Sequence, residues 1–348
     1  MSALPRLRYW RRLLFAVLGL SAVDAFVPGR LAALEAVRYE SNRLFRFEAS
    51  DLFALGPLVG YLQEHPRGAR PRIAFFGDSV VWGYLLRAPE TLPAQFQTLR
   101  PDARVLNLAI NGLDTASAYL IAKDIVDALD MLYVFDFGRH PNTRLPELVP
   151  VETADVEQFR LTPPSRVERR LEGALGGWHL YTNSYRLQAA LFGTSTRIYV
   201  YLHKGALARQ LLGRPVEAAV PAPAPAPVPD VAAAAATIVV DARLSPEQPS
   251  LDRQRALRQR HPLLWAAAEL VRGHGKHAAF IEVAGHAAAM SDEDRADLNA
   301  VFAPHVRVVA VDVPAALKFD KTHLTALGSA ALAQVLARDV PPQFGGRP

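Results

Sequence analysis

The sequence predicts an α/β fold, a parallel sheet with helices on both faces. Three observations lead there. Apolar runs of strand length, without polar alternation, recur between segments whose apolar residues fall at helical spacing. The pattern holds over residues 70–140, is lost, and resumes over 255–340. The strand-like runs also end in small or polar residues, and open α/β sheets build their sites beyond the carboxyl ends of their strands.

Taken in order, "PRIAFFGDS" (71–79) reads as the first strand and the turn that follows it. "TLPAQFQTL" (91–99) reads as a helix and "ARVLNLAI" (103–110) as a strand. "TASAYLIAKDIVDAL" (115–129) is again helical, and "MLYVFDFG" (131–138) is strand-like. The second half repeats the scheme. "HPLLWAAAELVRGHG" (261–275) is a helix ending at glycines, "KHAAFIEVAG" (276–285) a strand, "DEDRADLNAVFAPH" (292–305) a helix and "VRVVAVDVP" (306–314) a strand. "HLTALGSAALAQVLARDV" (323–340) is the closing helix. One α/β domain is therefore expected over 70–142 and 255–342. Between its parts lie a mostly helical insertion at 143–213 and an Ala/Pro-rich linker at 214–254, an extended spacer whose alanine run could form a short helix.

The N-terminus has its own character. "RLRYWRR" (6–12) precedes "LLFAVLGLSAVDAFV" (13–27), a basic flank before an apolar run of about 15 residues interrupted by Asp24. We read residues 1–30 as a signal anchor in the inner membrane, with the arginines inside and the rest of the chain on the periplasmic or external side. Residues 31–69 then read as a juxtamembrane helix and connection.

Composition bounds the function. The chain has 348 residues, 50% of them apolar, which is enough for a substantial core. Its net charge of +5 comes from scattered arginines, with no basic stripe interleaved with aromatics, so nucleic acid is not an expected partner. The absence of cysteine excludes disulfides and thiolate chemistry. His274, His277 and His286 lie close in sequence, but no metal-ligand spacing links them to carboxylates, and neither a metal nor another cofactor is expected.

The strand ends carry the chemistry. The first ends at Gly77-Asp78-Ser79, the second leads into "NLAINGLDT" with Asn107, Asn111 and Gly112, and the third reaches Gly138-Arg139-His140. Asp320 and His323 follow the last strand. Together they offer a hydroxyl, amide donors and a carboxylate–imidazole pair at one sheet edge. Acyl transfer needs such a set. A serine hydroxyl requires a base within reach, the base requires a carboxylate to orient it, and the oxyanion requires fixed donors. Asp78 reads as a structural hydrogen-bonder of its loop. Trp82 and Tyr84 read either as lining the cleft or as core.

"FFGDSVVWG", "NLAINGLDT" and "DKTHLTALG" resemble three sequence blocks of the SGNH (GDSL) hydrolase superfamily, over roughly residues 71–140 and 277–338. The resemblance implies a three-layer α/β/α fold of flavodoxin-like arrangement. It makes Ser79 the nucleophile, His323 the base and Asp320 its orienting carboxylate, with the N–H groups of Ser79 and Gly112 in the oxyanion hole. The third block departs from the family's Gly-x-Asn-Asp and reads "FGRHPNT". His140 stands in the Asn position and Asn142 lies two residues on. Either could assist the oxyanion hole, or His140 could merely cap its strand. The expected activity is hydrolysis of O-acyl esters, acetyl above all, on envelope carbohydrate. The alternatives are an O-acyltransferase of the same mechanism fed by a membrane acyl-donor partner, and a catalytically weak scaffold of polysaccharide assembly.

Overall fold

The structure, a computed structural model, describes residues 39–43, 55–65, 68, 70–113, 115–135, 230–245, 247–284 and 290–342. It adds isolated helical positions between 15 and 22 and between 155 and 203. In chain order the elements are α1 (Leu55–Glu64), β1 (Arg72–Phe76), α2 (Ser79–Trp82), α3 (Leu92–Leu99), β2 (Arg104–Asn107), α4 (Thr115–Ile125) and β3 (Met131–Phe135). They continue with α5 (Val231–Ala236), β4 (Val239–Asp241), α6 (Leu251–Arg260), α7 (Pro262–Gly273), β5 (His277–Val283), α8 (Asp292–Phe302), β6 (Val306–Asp312) and α9 (Ala326–Asp339).

The six strands form one sheet in the order β2-β1-β3-β5-β6-β4. All neighbours are parallel except β4, which runs antiparallel to β6 at the edge. Chain order reverses about β1, with β2 on one side and β3 on the other, which makes the crevice between β1 and β3 a topological switch point.

The apolar runs lack alternation because both faces of the sheet are buried. Along β1, Ile73 and Phe75 join one core cluster while Ala74 and Phe76 join the other. Along β3, Met131, Tyr133 and Phe135 face the first and Leu132 and Val134 the second. One cluster draws on α1, α4, α7 and α8 through Leu58, Leu120, Leu264 and Phe302. The other draws on α3, α5 and α9 through Phe96, Ala235, Leu332 and Leu336. The Tyr133 hydroxyl donates to the Val340 carbonyl at 2.6 Å and so ties the middle of the sheet to the end of α9.

Three boundaries differ from the sequence reading. Residues 39–43 and α1, read as a juxtamembrane connection, pack into the domain, with Tyr39 and Leu58 fully buried and Tyr61 nearly so. Glu40 bridges Leu106, extending the sheet past β2, and it pairs with Arg104. The stretch read as a linker up to 254 holds α5, β4 and the start of α6. The alanine run is helical because Asp230 caps it, its carboxylate accepting from the Ala232 and Ala233 N–H groups at 3.0 Å, and β4 makes the sheet mixed rather than wholly parallel. The second part of the domain accordingly begins before residue 255.

Most of the insertion at 143–213 lies outside the described residues. Within it, Asp155 pairs with Lys123 on α4, and Phe159 meets Tyr119 edge-on with ring centroids 5.3 Å apart. The proposed anchor also lies largely outside the described residues. Phe15, Leu18, Gly19, Ser21 and Ala22 are helical and exposed, and among the described residues no helix is long and apolar enough to cross a membrane.

Candidate active site

Ser79 stands at the first position of α2, just beyond β1 and at the switch point. The turn before it is tightly built. A Cβ on Gly77 would approach a Val81 methyl to 2.7 Å and the Phe135 Cβ to 3.1 Å, so only glycine lets α2 start this close to β3. Asp78 is 3% exposed and caps α2, its Oδ1 accepting from the Val80 N–H at 3.1 Å, which gives it a structural role. The α2 helix then ends at Gly83 in the left-handed region, and the Gly83 and Tyr84 N–H groups both return to the Ser79 carbonyl.

The loop after β2 is stitched to this turn by the Ile110 N–H donating to the Gly77 carbonyl at 3.1 Å. Residues 110–113 make a β-turn closed by the Leu113 N–H on the Ile110 carbonyl, with Gly112 third in the turn at φ 78°, the conformation a type II turn requires there. Among the described residues nothing accepts a hydrogen bond from the N–H of Ser79 or of Gly112. Behind the loop, the buried Arg43 guanidinium donates to the Ala109 carbonyl. No motif or periodicity marks Arg43, which lies in a stretch that reads as a connection.

The carboxylate and imidazole come from the loop between β6 and α9. His323 Nε2 lies 2.9 Å from Ser79 Oγ across a sequence separation of 244 residues, and His323 Nδ1 lies 2.7 Å from Asp320 Oδ2. The Asp320 Oδ1 accepts from the Thr322 and His323 N–H groups at 2.7 Å each, so one carboxylate fixes both the backbone and the ring. Partial burial works against its ionisation. The hydrogen bonds from the His323 N–H, the His323 ring and the Thr322 N–H outweigh that and hold the carboxyl well below the usual carboxylate range.

The proton positions follow. An ionised carboxylate only accepts, so His323 Nδ1 carries the hydrogen facing Asp320. In the neutral ring Nε2 is then the acceptor, and the Ser79 hydroxyl donates to it.

Two aromatic rings flank the imidazole. The Tyr84 centroid is 4.6 Å from that of His323 and the Phe319 centroid 5.5 Å, with Phe319 and the imidazole only 12° from parallel. Trp82 is core, at 1% exposed. Tyr84 is half-buried at the site, so the two alternatives that the sequence left open fall to different residues. Phe319 carries little signal in the sequence, only an aromatic directly before the Asp-x-x-His segment in an otherwise polar loop.

His140 and Asn142 lie outside the described residues, as does His286. No group of three or more His, Asp or Glu able to hold a metal ion occurs among the described residues. His274 instead meets Asp127, and His277 stacks on His305 at 5.3 Å. No protein-family model matches this chain, and no curated protein matches it in sequence.

Proposed function

We propose that this chain is a serine-dependent acyl-ester hydrolase of the SGNH type, acting on O-acyl groups, acetyl above all, of envelope carbohydrate. The observation that carries the reading is the unbroken line of hydrogen bonds from Asp320 through His323 to Ser79. Fold and motifs add support: the order of the parallel strands is that of doubly wound flavodoxin-like sheets, and the three sequence blocks fall at its switch-point edge. The carbohydrate substrate rests on the sequence resemblance alone.

In the proposed reaction His323 Nε2 takes the Ser79 proton as Oγ attacks the ester carbonyl, and Asp320 stabilises the imidazolium that forms. The N–H groups of Ser79 and Gly112 receive the oxyanion. A donor in such a position is typically worth about 10²–10³ in rate, and His140 or Asn142 is positioned in the sequence to add another. The imidazolium returns its proton to the departing alcohol, leaving acyl-Ser79. Water, activated by the same imidazole, then releases the acid and restores the hydroxyl.

One observation favours a second reading. "FGRHPNT" stands in place of Gly-x-Asn-Asp, so the Asn that the resemblance implies as an oxyanion donor is replaced by His140, and an O-acyltransferase passing the acyl group to a sugar hydroxyl uses the same three residues. We place the N-terminal segment in the inner membrane, with the domain on the outer side, on the strength of its basic flank and apolar run.

The test is hydrolysis of a chromogenic acetyl ester by the full chain in detergent, wild type beside Ser79→Ala. Turnover abolished by the substitution supports the acyl-enzyme. Equal turnover in both proteins removes Ser79 from the chemistry. Acylated sugar formed in preference to free acid, when a glycan is added, selects the transferase.

A further inference from the structure

We propose that Tyr84 and Phe319 form the subsite for the alcohol half of the ester, and that this half carries a ring with a flat C–H face, a pyranose or an aryl group. The proposal rests on the reading of Ser79 as nucleophile and His323 as base. It adds which side of the site takes which half of the substrate.

The chemistry fixes the side. When the tetrahedral intermediate collapses, the bond from the carbonyl carbon to the alcohol oxygen breaks. That oxygen takes the proton from His323 Nε2, so it must come within about 2.6–3.2 Å of it. Whatever the alcohol oxygen carries therefore lies against the surroundings of the imidazole. Among the described residues the rings beside the imidazole are Tyr84, at 4.6 Å from its centroid, and Phe319, at 5.5 Å, with 6.2 Å and 23° between the two rings themselves. The acyl half is left the side of the Gly112 turn.

The rings are built into the reacting residues. The Tyr84 N–H donates to the Ser79 carbonyl and the Phe319 N–H donates to the His323 carbonyl, both at 3.0 Å. Tyr84 is followed by Leu85 at φ 67°, a left-handed conformation that strains a leucine and that clusters at binding sites. Phe319 is 41% exposed although it sits among Lys318, Asp320, Lys321 and Thr322. A large apolar face held open in a polar rim, beside the proton donor, suits a partner that is apolar on its face and polar at its edge.

The experiment uses three acetyl esters with a common acyl group: phenyl acetate, an acetylated methyl pyranoside and ethyl acetate. Full-length wild type is compared with Phe319→Ala and Phe319→Tyr in detergent. In Phe319→Ala, kcat/KM for one or both ring esters falls about tenfold relative to ethyl acetate, through KM, which is the size of a single aromatic contact, and Phe319→Tyr restores it. Loss on phenyl acetate alone or on the pyranoside alone identifies which ring the subsite takes. An equal loss on all three esters, expressed in kcat, overturns the proposal and leaves the rings holding only the imidazole.

Binding gives a readout independent of turnover. In Ser79→Ala, saturation transferred from protein to the ring protons of phenyl acetate or the pyranoside should disappear when Phe319→Ala is added. If wild type turns over none of the esters while that Phe319-dependent contact persists, the hydrolase reading fails and the subsite stands. If the contact is absent, or does not depend on Phe319, the subsite is overturned.

Discussion

The loop that carries Asp320 and His323 is held tightly against Gly328, in the first turn of α9. A Cβ built there would lie 2.1 Å from the Leu317 carbonyl oxygen and 3.1 Å from its carbonyl carbon. That oxygen already accepts from the Thr325 N–H at 2.9 Å and the Thr325 hydroxyl at 3.1 Å, and the same hydroxyl accepts from the Gly328 N–H at 3.0 Å. Leu317 and Thr325 are thus clamped together at the base of the loop that carries Asp320 and His323. Gly328→Ala must push α9 and Leu317 apart by about 1 Å to reach an ordinary carbon–oxygen contact. His323 travels with this loop and Ser79 does not, so the 2.9 Å contact between them is the one that opens.

A displacement of that size typically costs about 10²-fold in rate, and the overpacking costs about 1–3 kcal/mol of stability. The assay is kcat on a chromogenic acetyl ester, read beside the denaturation midpoint so that a poorly folded variant is recognised. The expected result is a folded, somewhat less stable protein whose kcat has fallen about a hundredfold. A kcat within twofold of wild type would refute the reasoning, because the loop would then tolerate the shift without moving the base.

Two further substitutions have definite expected outcomes. Asp320→Asn should lower kcat by about 10³–10⁴ at neutral pH, since an amide does not hold the Nδ1–H tautomer or stabilise an imidazolium. It should also flatten the acid limb of stability. The Asp320 carboxyl titrates lower in the folded chain than in the unfolded one, so its contribution is complete above about pH 4 and is lost as pH falls toward the folded value. Denaturation at a series of pH values below 4 should show a shallower loss in the variant, and parallel curves would contradict this. Gly60→Ala, in α1 where a Cβ meets nothing within 4 Å, should stabilise the protein by about 0.5–1 kcal/mol, measured as a raised denaturation midpoint. A lowered midpoint would mean that α1 does not keep its place against the sheet.

The sheet was legible because its strands are buried on both faces and α3, α4, α7 and α9 each carry an apolar face, so periodicity separated them. The edges were not. β4 is three residues long, with Val239 63% exposed, and it leaves too little pattern to read. The alanine run before it shows no periodicity, and its one helical signal is Asp230 directly ahead of it, which caps it. Tyr39, Leu58 and Tyr61 read as part of a connection because only the fold reveals that they close one face of the core beside β2.

The site divides in the same way. Asp320 and His323 could be paired from the sequence because their spacing is a property of a short loop: the Asp-x-x-His loop bends so that one carboxylate reaches two backbone N–H groups and a ring at once. Ser79, 244 residues away, stood out only through the Gly-Asp-Ser at its strand end. What surrounds them depends on conformations that residue identities do not announce. Leucine is a poor choice for φ 67°, so nothing in "WGYLL" indicates that the chain turns left-handed after Tyr84, beside the ring it presents to His323. The Phe319 ring reaches that histidine because its own N–H is bonded to the His323 carbonyl, a contact made within the loop only once the loop has folded. The short motifs therefore identify the three groups that meet in one line of hydrogen bonds. The aromatic walls beside them are set by backbone geometry and become readable only in three dimensions.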